Sequence, residues 1–169
     1  MERIHPEMIK RISLTIIAIT FASLAFYANG ALAAQKDSEL NAKDVIRPKQ
    51  LLTLLSGTSQ ERPFVLQVGF SFLYDSGHID GAIHAGPAMR PDGIKKLRAA
   101  VKDVPKDRMI VIYCGCCPWP ECPNVRPAYA FLSHLGFRNV KTLYIPINFE
   151  RDWIKKGYPI TKGSKPTSR

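Results

Sequence analysis

Cysteine is missing from almost the whole chain: across 169 residues it occurs only within Cys114–Cys122. Cys114, Cys116, Cys117 and Cys122 are all crowded into that stretch. Their absence elsewhere excludes a disulfide-stapled scaffold, because structural disulfides join distant segments and gain most from closing long loops. Four thiols in one loop would staple little, so they mark a chemical site. Acidic residues are also scarce, 14 against 24 Lys and Arg, for a net charge of +10. The cations are scattered, and no basic cluster is interleaved with aromatic residues. Nucleic acid is therefore not an expected partner, and the charge reads as a solvated surface with weak attraction for small anions. Internal repeats and low-complexity tracts are absent too. A composition of 46% hydrophobic and 22% charged residues describes a globular chain with one core.

The N-terminus departs from that composition. Arg3, Lys10 and Arg11 form a basic start, Ile12–Ala28 is uncharged and largely apolar, and Asn29–Gly30 breaks the run. Ala31–Leu32–Ala33 then supplies the small-x-small pattern of a cleavage site. This order predicts a signal peptide over 1–33, cleavage near Ala33–Ala34, and a periplasmic or secreted protein. The competing reading is an uncleaved anchor, since the apolar run approaches the roughly 20 residues that span a bilayer. Only in that case would a membrane be a partner. Residues 34–44 read as a polar linker, 45–160 as the folded domain and 161–169 as a polar tail.

Within the domain, short apolar runs alternate with helical patterns. Val45–Ile46 reads as an edge strand, and Pro48 opens a helix carrying Leu51, Leu52, Leu54 and Leu55 that stops at Ser56–Gly57. Phe64–Val68 reads as a buried strand, Ser71–Ser76 as a short helix, and Ala82–His84 as a brief strand. Ile94, Leu97 and Val101 recur at helical spacing opposite Lys95, Lys96 and Arg98. Met109–Tyr113, the most continuous apolar run, is the expected central strand. A helix from Val125 to Leu135 closed by Gly136, a strand at Val140–Tyr144, and a helix capped by Asn148 follow. The alternation predicts an α/β fold: a single domain with a central parallel sheet of about five strands and helices on both faces.

Cys114 directly follows the central strand, where open α/β sheets bind their ligands. A loop running into a helix N-terminus points N–H groups at its mouth, which favours negative charge. A thiol there is expected to ionise more easily than a free cysteine and to act as a nucleophile. The backbone amides of Gly115, Cys116, Cys117, Pro118 and Trp119 are the expected cradle for an anion. Trp119 is read either as a gate stacking on ligand or as a cover for the loop. Glu121 and Asn124 are candidate polar contacts without a motif behind them, and His78 and His84 are read as structural rather than catalytic.

Three ordered motifs carry a family resemblance. Leu66–Gly69, Tyr74 and Gly77–Ala82 form a strand, an aromatic and a GHIxGA turn. Ile110–Cys114 leads through a loop to a helix ending at Leu135–Phe137, then Asn139–Val140 and Leu143. Trp153 with Gly157–Tyr158–Pro159 gives W-x-x-x-G-[YL]-P. Over about Val45–Ile160 the chain resembles the rhodanese-like sulfurtransferase family. The resemblance implies that Cys114 attacks the outer sulfur of a donor such as thiosulfate, forms a persulfide and releases sulfite. A thiol, a protein sulfur acceptor or cyanide then takes the sulfur, and no cofactor is required. Cys117 or Cys122 would accept the sulfur internally. The family usually carries Asp and Arg where this chain has Gln67 and Gly69, and its C-x-x-G-x-R loop is replaced here by a longer, cysteine-rich one. Arg126 is displaced into the helix start, which speaks against the related phosphatase and arsenate-reductase versions.

Two other chemistries fit the same thiols. Cys116, Cys117 and Cys122, with or without Cys114, would suit a soft ion such as copper or zinc. They would equally serve thiol–disulfide exchange, or form a disulfide that stiffens the insert around Pro118, Pro120 and Pro123.

Overall fold

The structure is a computed structural model that describes residues 41–58 and 62–163. The expected signal peptide, most of the expected linker and the end of the polar tail lie outside the described residues. Strand β5, Ile110–Tyr113, is buried at every position and lies at the centre of a five-stranded parallel sheet. Its neighbours are β2, Phe64–Gln67, on one side and β6, Val140–Leu143, on the other. The edges are β1, Val45–Ile46, beside β6 and β4, Ile83–His84, beside β2. The observed order is β1-β6-β5-β2-β4, with every pairing parallel.

Side chains alternate across a strand, so β5 feeds two cores. Ile110 and Ile112 pack on one face with Leu97, Val101, Ala128 and Leu132. These come from helix α3, Pro91–Ala100, with the turn just beyond it, and from helix α4, Val125–His134. Val111 and Tyr113 pack on the opposite face with Leu51, Phe149 and Trp153. That layer contains helix α1, Pro48–Leu55, and the short helix α5, Phe149–Asp152. Both sheet faces are therefore covered, which is why the strands read as unbroken apolar runs rather than alternating ones. Asn148 caps α5 by accepting from the Arg151 amide at 2.9 Å, and Asp152 accepts from the Ile147 and Asn148 amides at 2.7 and 3.0 Å.

Two features go beyond the sequence reading. His78–Ile79 (β3) pairs antiparallel with Ile160–Thr161 (β7), a small second sheet joining the GHIDGA turn to the C-terminal end. The Thr161 hydroxyl donates to Asp80 at 2.6 Å across this junction. At the other end, a turn at Ala42–Asp44 is fastened by buried Asp44, which accepts from the Tyr129 hydroxyl at 2.9 Å and faces Lys141 at 3.7 Å. Between β2 and β3 lies helix α2, Ser71–Ser76, as the sequence predicts. Among the described residues no helix is long and apolar enough to cross a membrane.

Candidate active site in the cysteine loop

Cys114 emerges from β5 and joins the α3–α4 core, the same face as Ile110 and Ile112. Three residues hold its backbone and clear space for its sulfur. Buried Gln67, at the end of β2, donates from Nε2 to the Cys114 carbonyl at 3.0 Å and accepts from the Gly69 amide at 3.2 Å. Gly115 turns the chain with φ +93, a left-handed conformation in which a side chain is strained. A Cβ there would also come within 2.8 Å of Phe149, whose amide donates to the Gly115 carbonyl at 3.0 Å. At Gly69 a Cβ would lie 2.7 Å from the Cys114 sulfur. Gly69→Ala is therefore expected to overpack the site, costing about 1–3 kcal/mol, and to slow alkylation of Cys114. Urea unfolding and iodoacetamide kinetics check this. Unchanged alkylation would show that the sulfur has room to spare.

The sulfur itself is surrounded by donors and other sulfurs. Asn124 Nδ2 donates to Cys114 Sγ at 3.4 Å, and Asn124 is locked by accepting from the Met89 amide at 3.0 Å. Asn124 is wholly buried and spends its side chain on these contacts rather than on capping α4. The Cys116 amide also bonds the Cys114 sulfur, and Cys116 Sγ lies 3.3 Å from it. A turn at Trp119–Glu121 carries the chain back so that buried Cys122 meets Cys114. All four cysteines are free thiols, and the sulfurs of Cys114, Cys116 and Cys122 lie within 4.8 Å of one another.

Cys114 and Cys122 are linked by a hydrogen bond at the centre of the cluster. The hydrogen bond to Cys122 and then burial push the Cys114 thiol up, whereas Cys122 is pulled down to about 5. The bond from Cys114 is the main cause, aided by the Asn124 and Val125 amides at the start of α4 and opposed by burial. The amides at the start of α4 thus serve Cys122, while the Cys116 amide and Asn124 Nδ2 serve Cys114.

Cys114, Gly115 and Cys116 line a cleft of about 530 Å³. Its walls are mainly apolar, with Phe70, Phe72, Leu73, Phe149 and Ile154, and among the described residues Glu150 is the only charged one in the lining.

The rhodanese-like domain profile matches residues 47–144, more than half of the chain. The chain belongs to this family. Among solved structures, the rhodanese-like fold is shared with the BH2092 protein of Bacillus halodurans, at 23% identity and a TM-score of 0.52. That alignment covers 70% of this chain and 76% of the other. The Alr3790 protein of Anabaena is similar at 21% identity and a TM-score of 0.54, covering 71% of this chain and 94% of that one. A further structure of the rhodanese-like domain from Alr3790 gives 19% identity over 75% and 86%, with a TM-score of 0.52. No curated protein matches the chain.

In this rhodanese-like domain the expected cradle of amides is only partly available. The Cys116 amide faces the Cys114 sulfur, but the Trp119 amide donates to the Ile145 carbonyl at 2.9 Å, and Pro118 has no N–H. Cys117, Pro118 and Trp119 are not among the cleft-lining residues. Trp119 packs against Tyr144 at 6.2 Å, with Arg47 5.0 Å over the Tyr144 ring, so it covers the loop. Cys117 reaches Cys116, sulfur to sulfur, at 3.1 Å. Cys114 and Cys117 stand at C-x-x-C spacing in the sequence, but Cys116 and Cys122 are the sulfurs that approach Cys114.

Exposed Arg126 donates to the Pro120 carbonyl at 3.4 Å, holding the insert rather than the cleft. His78 bonds the Tyr74 carbonyl at 2.8 Å and stacks on its ring, and His84 bonds the Gly69 carbonyl at 3.0 Å. Both histidines support the loops around the site. Gln67 and Gly69, legible in the sequence only as departures from the family pattern, prove to shape the seat of Cys114. Asn124 had a polar side chain just before a helix as its only signal.

Proposed function

We propose that this protein is an exported sulfurtransferase that carries sulfane sulfur as a persulfide on Cys114. One observation carries the reading: of the two buried cysteines that meet at the core of the loop, only Cys114 lines the cleft. Attack of its sulfur on the outer sulfur of thiosulfate would form the Cys114 persulfide, break the donor's S–S bond and release sulfite. Cys122, held by the Asn124 and Val125 amides and hydrogen-bonded to Cys114, is the group with which Cys114 would exchange its proton. Asn124 Nδ2 and the Cys116 amide are the donors for the bound sulfur. In the second step an acceptor thiolate attacks the outer persulfide sulfur and Cys114 leaves as thiolate. The apolar cleft walls favour an acceptor whose thiol is carried on an apolar body or on a protein segment.

The decisive measurement is intact mass after thiosulfate treatment of the reduced protein. A gain of one sulfur atom, removed by added thiol, is expected. Loss of two hydrogens without added sulfur would replace the transfer reading with disulfide exchange. Export rests on the basic start, the apolar run and Ala31–Leu32–Ala33. N-terminal sequencing should find a mature chain beginning near Ala34 in the soluble exported fraction. Full-length chain recovered from membranes would establish an anchor instead.

A further inference from the structure

The family reaction needs one cysteine, yet three sulfurs converge. Cys114 is supplied by the end of β5, Cys116 by the loop after Gly115, and Cys122 by the return turn before α4. Their sulfurs lie within 4.8 Å of one another, with Cys114 and Cys116 3.3 Å apart. Thiolate–metal bonds of about 2.3 Å in a trigonal plane would set sulfurs about 4.0 Å apart. The Cys114–Cys116 spacing is below that value and the other spacings are at most 4.8 Å, so closure on an ion requires shifts of well under a side-chain length. We infer that Cys114, Cys116 and Cys122 form a three-thiolate site for a soft monovalent ion, copper(I).

The donor set decides the class of ion. Three sulfurs, with no His, Asp or Glu in the cluster among the described residues, make a wholly soft set. Structural zinc is almost always four-coordinate, and this cluster offers no fourth ligand at a common centre. Cys117 is excluded from the group although its sulfur is 3.1 Å from that of Cys116. It also bonds Cys122, but it does not belong to the set of sulfurs that all lie within 4.8 Å of one another. Burial also suits the role: Cys114 and Cys122 are buried, whereas exposed Cys116 gives the ion a way in and out. The negative charge gathered by three thiolates around one monovalent ion would be met by the outer donors already present. These are Asn124 Nδ2 on Cys114 and the Asn124 and Val125 amides on Cys122.

The site shares the Cys114 sulfur with the proposed transfer reaction, so ion and persulfide exclude one another. Copper binding nevertheless stands without that reaction, because it needs only the three sulfurs.

The test is anaerobic titration of the reduced protein with copper(I) against a chromophoric copper(I) chelator. Wild-type protein and the Cys114→Ser, Cys116→Ser, Cys117→Ser and Cys122→Ser variants are compared. One ion per chain is expected, with X-ray absorption showing three sulfurs at about 2.3 Å. Loss of Cys114, Cys116 or Cys122 should weaken binding by more than about 100-fold, beyond the usual range for removing an outer-sphere partner. Cys117→Ser should bind as wild type. Cys116 is exposed, so its replacement tests the site without disturbing the core. Absence of stoichiometric binding, full affinity in Cys116→Ser, or equal losses in all four variants would each overturn the three-thiolate site. Copper-loaded protein should also gain no sulfur from thiosulfate, and sulfur uptake with the ion retained would overturn the shared use of Cys114.

Discussion

Cys114→Ser will abolish thiosulfate-dependent persulfide formation while leaving the domain folded. Sulfur and hydroxyl are close in size, and the seat made by Gln67, Gly69 and Asn124 binds the Cys114 backbone as well as its sulfur. An alcohol at this position has no adjacent general base strong enough to make it a comparable nucleophile, since its neighbours are thiols. The other three variants should differ in kind. Cys116→Ser and Cys117→Ser leave Cys114 and Cys122 in contact, so the first sulfur uptake should survive with altered delivery to acceptors. Cys122→Ser removes the group with which Cys114 would exchange its proton, and uptake should slow by about 10²–10⁴-fold, the usual worth of a positioned acid–base group. Intact mass with quenched time points separates these outcomes. Persulfide retained at wild-type rate in Cys114→Ser would sink the assignment of the nucleophile.

Trp153→Ala should cost about 3–5 kcal/mol of stability, the usual range for truncating a buried aromatic. Trp153 is 1% exposed and sits between the Phe149 ring at 5.9 Å and the Tyr158 ring at 5.1 Å. Its Nε1 donates to the Pro159 carbonyl at 2.9 Å, tying α5 to the segment that leads into β7. Truncation therefore opens a cavity in the α1–α5 layer and removes that carbonyl's indole donor. Trp153→Phe should keep most of the packing and lose chiefly the hydrogen bond. Phe149 also contacts the Gly115 turn, so loosening α5 should reach the cysteine loop and make Cys114 more accessible to alkylation. Denaturant unfolding of both variants reads the effect. Full stability in Trp153→Ala with sulfur uptake lost would move this residue from the core to the site.

The fold was largely legible because its signals are local. Ile110–Tyr113 is too short and too β-branched for a core helix, and an apolar run without alternation means burial on both faces. Pro48, Asn148 and Gly136 mark helix ends for reasons carried by each residue alone: a fixed φ, a side-chain acceptor, or a positive φ. The short pairing of His78–Ile79 with Ile160–Thr161 was not legible. Two residues show no period, and their register depends on where the chain returns some eighty positions later.

The same division runs through the site. The sequence by itself determined that the chemistry lies at Cys114–Cys122, that Cys114 leaves a buried central strand, and that a helix begins just beyond. These follow from composition and from the alternation of short runs along one stretch of chain. Only the tertiary structure decided which thiol receives the helix amides. The Trp119–Glu121 turn folds the insert back, placing Cys122 against the Asn124 and Val125 amides, while the Asn124 side chain turns to Cys114. It also decided that Gln67 and Gly69 build the seat of a cysteine far along the chain, and that α2 and α5 wall the cleft with apolar side chains. Each of these outcomes is a contact between elements distant in sequence, and a linear pattern records which face a residue occupies but not what the fold sets opposite it.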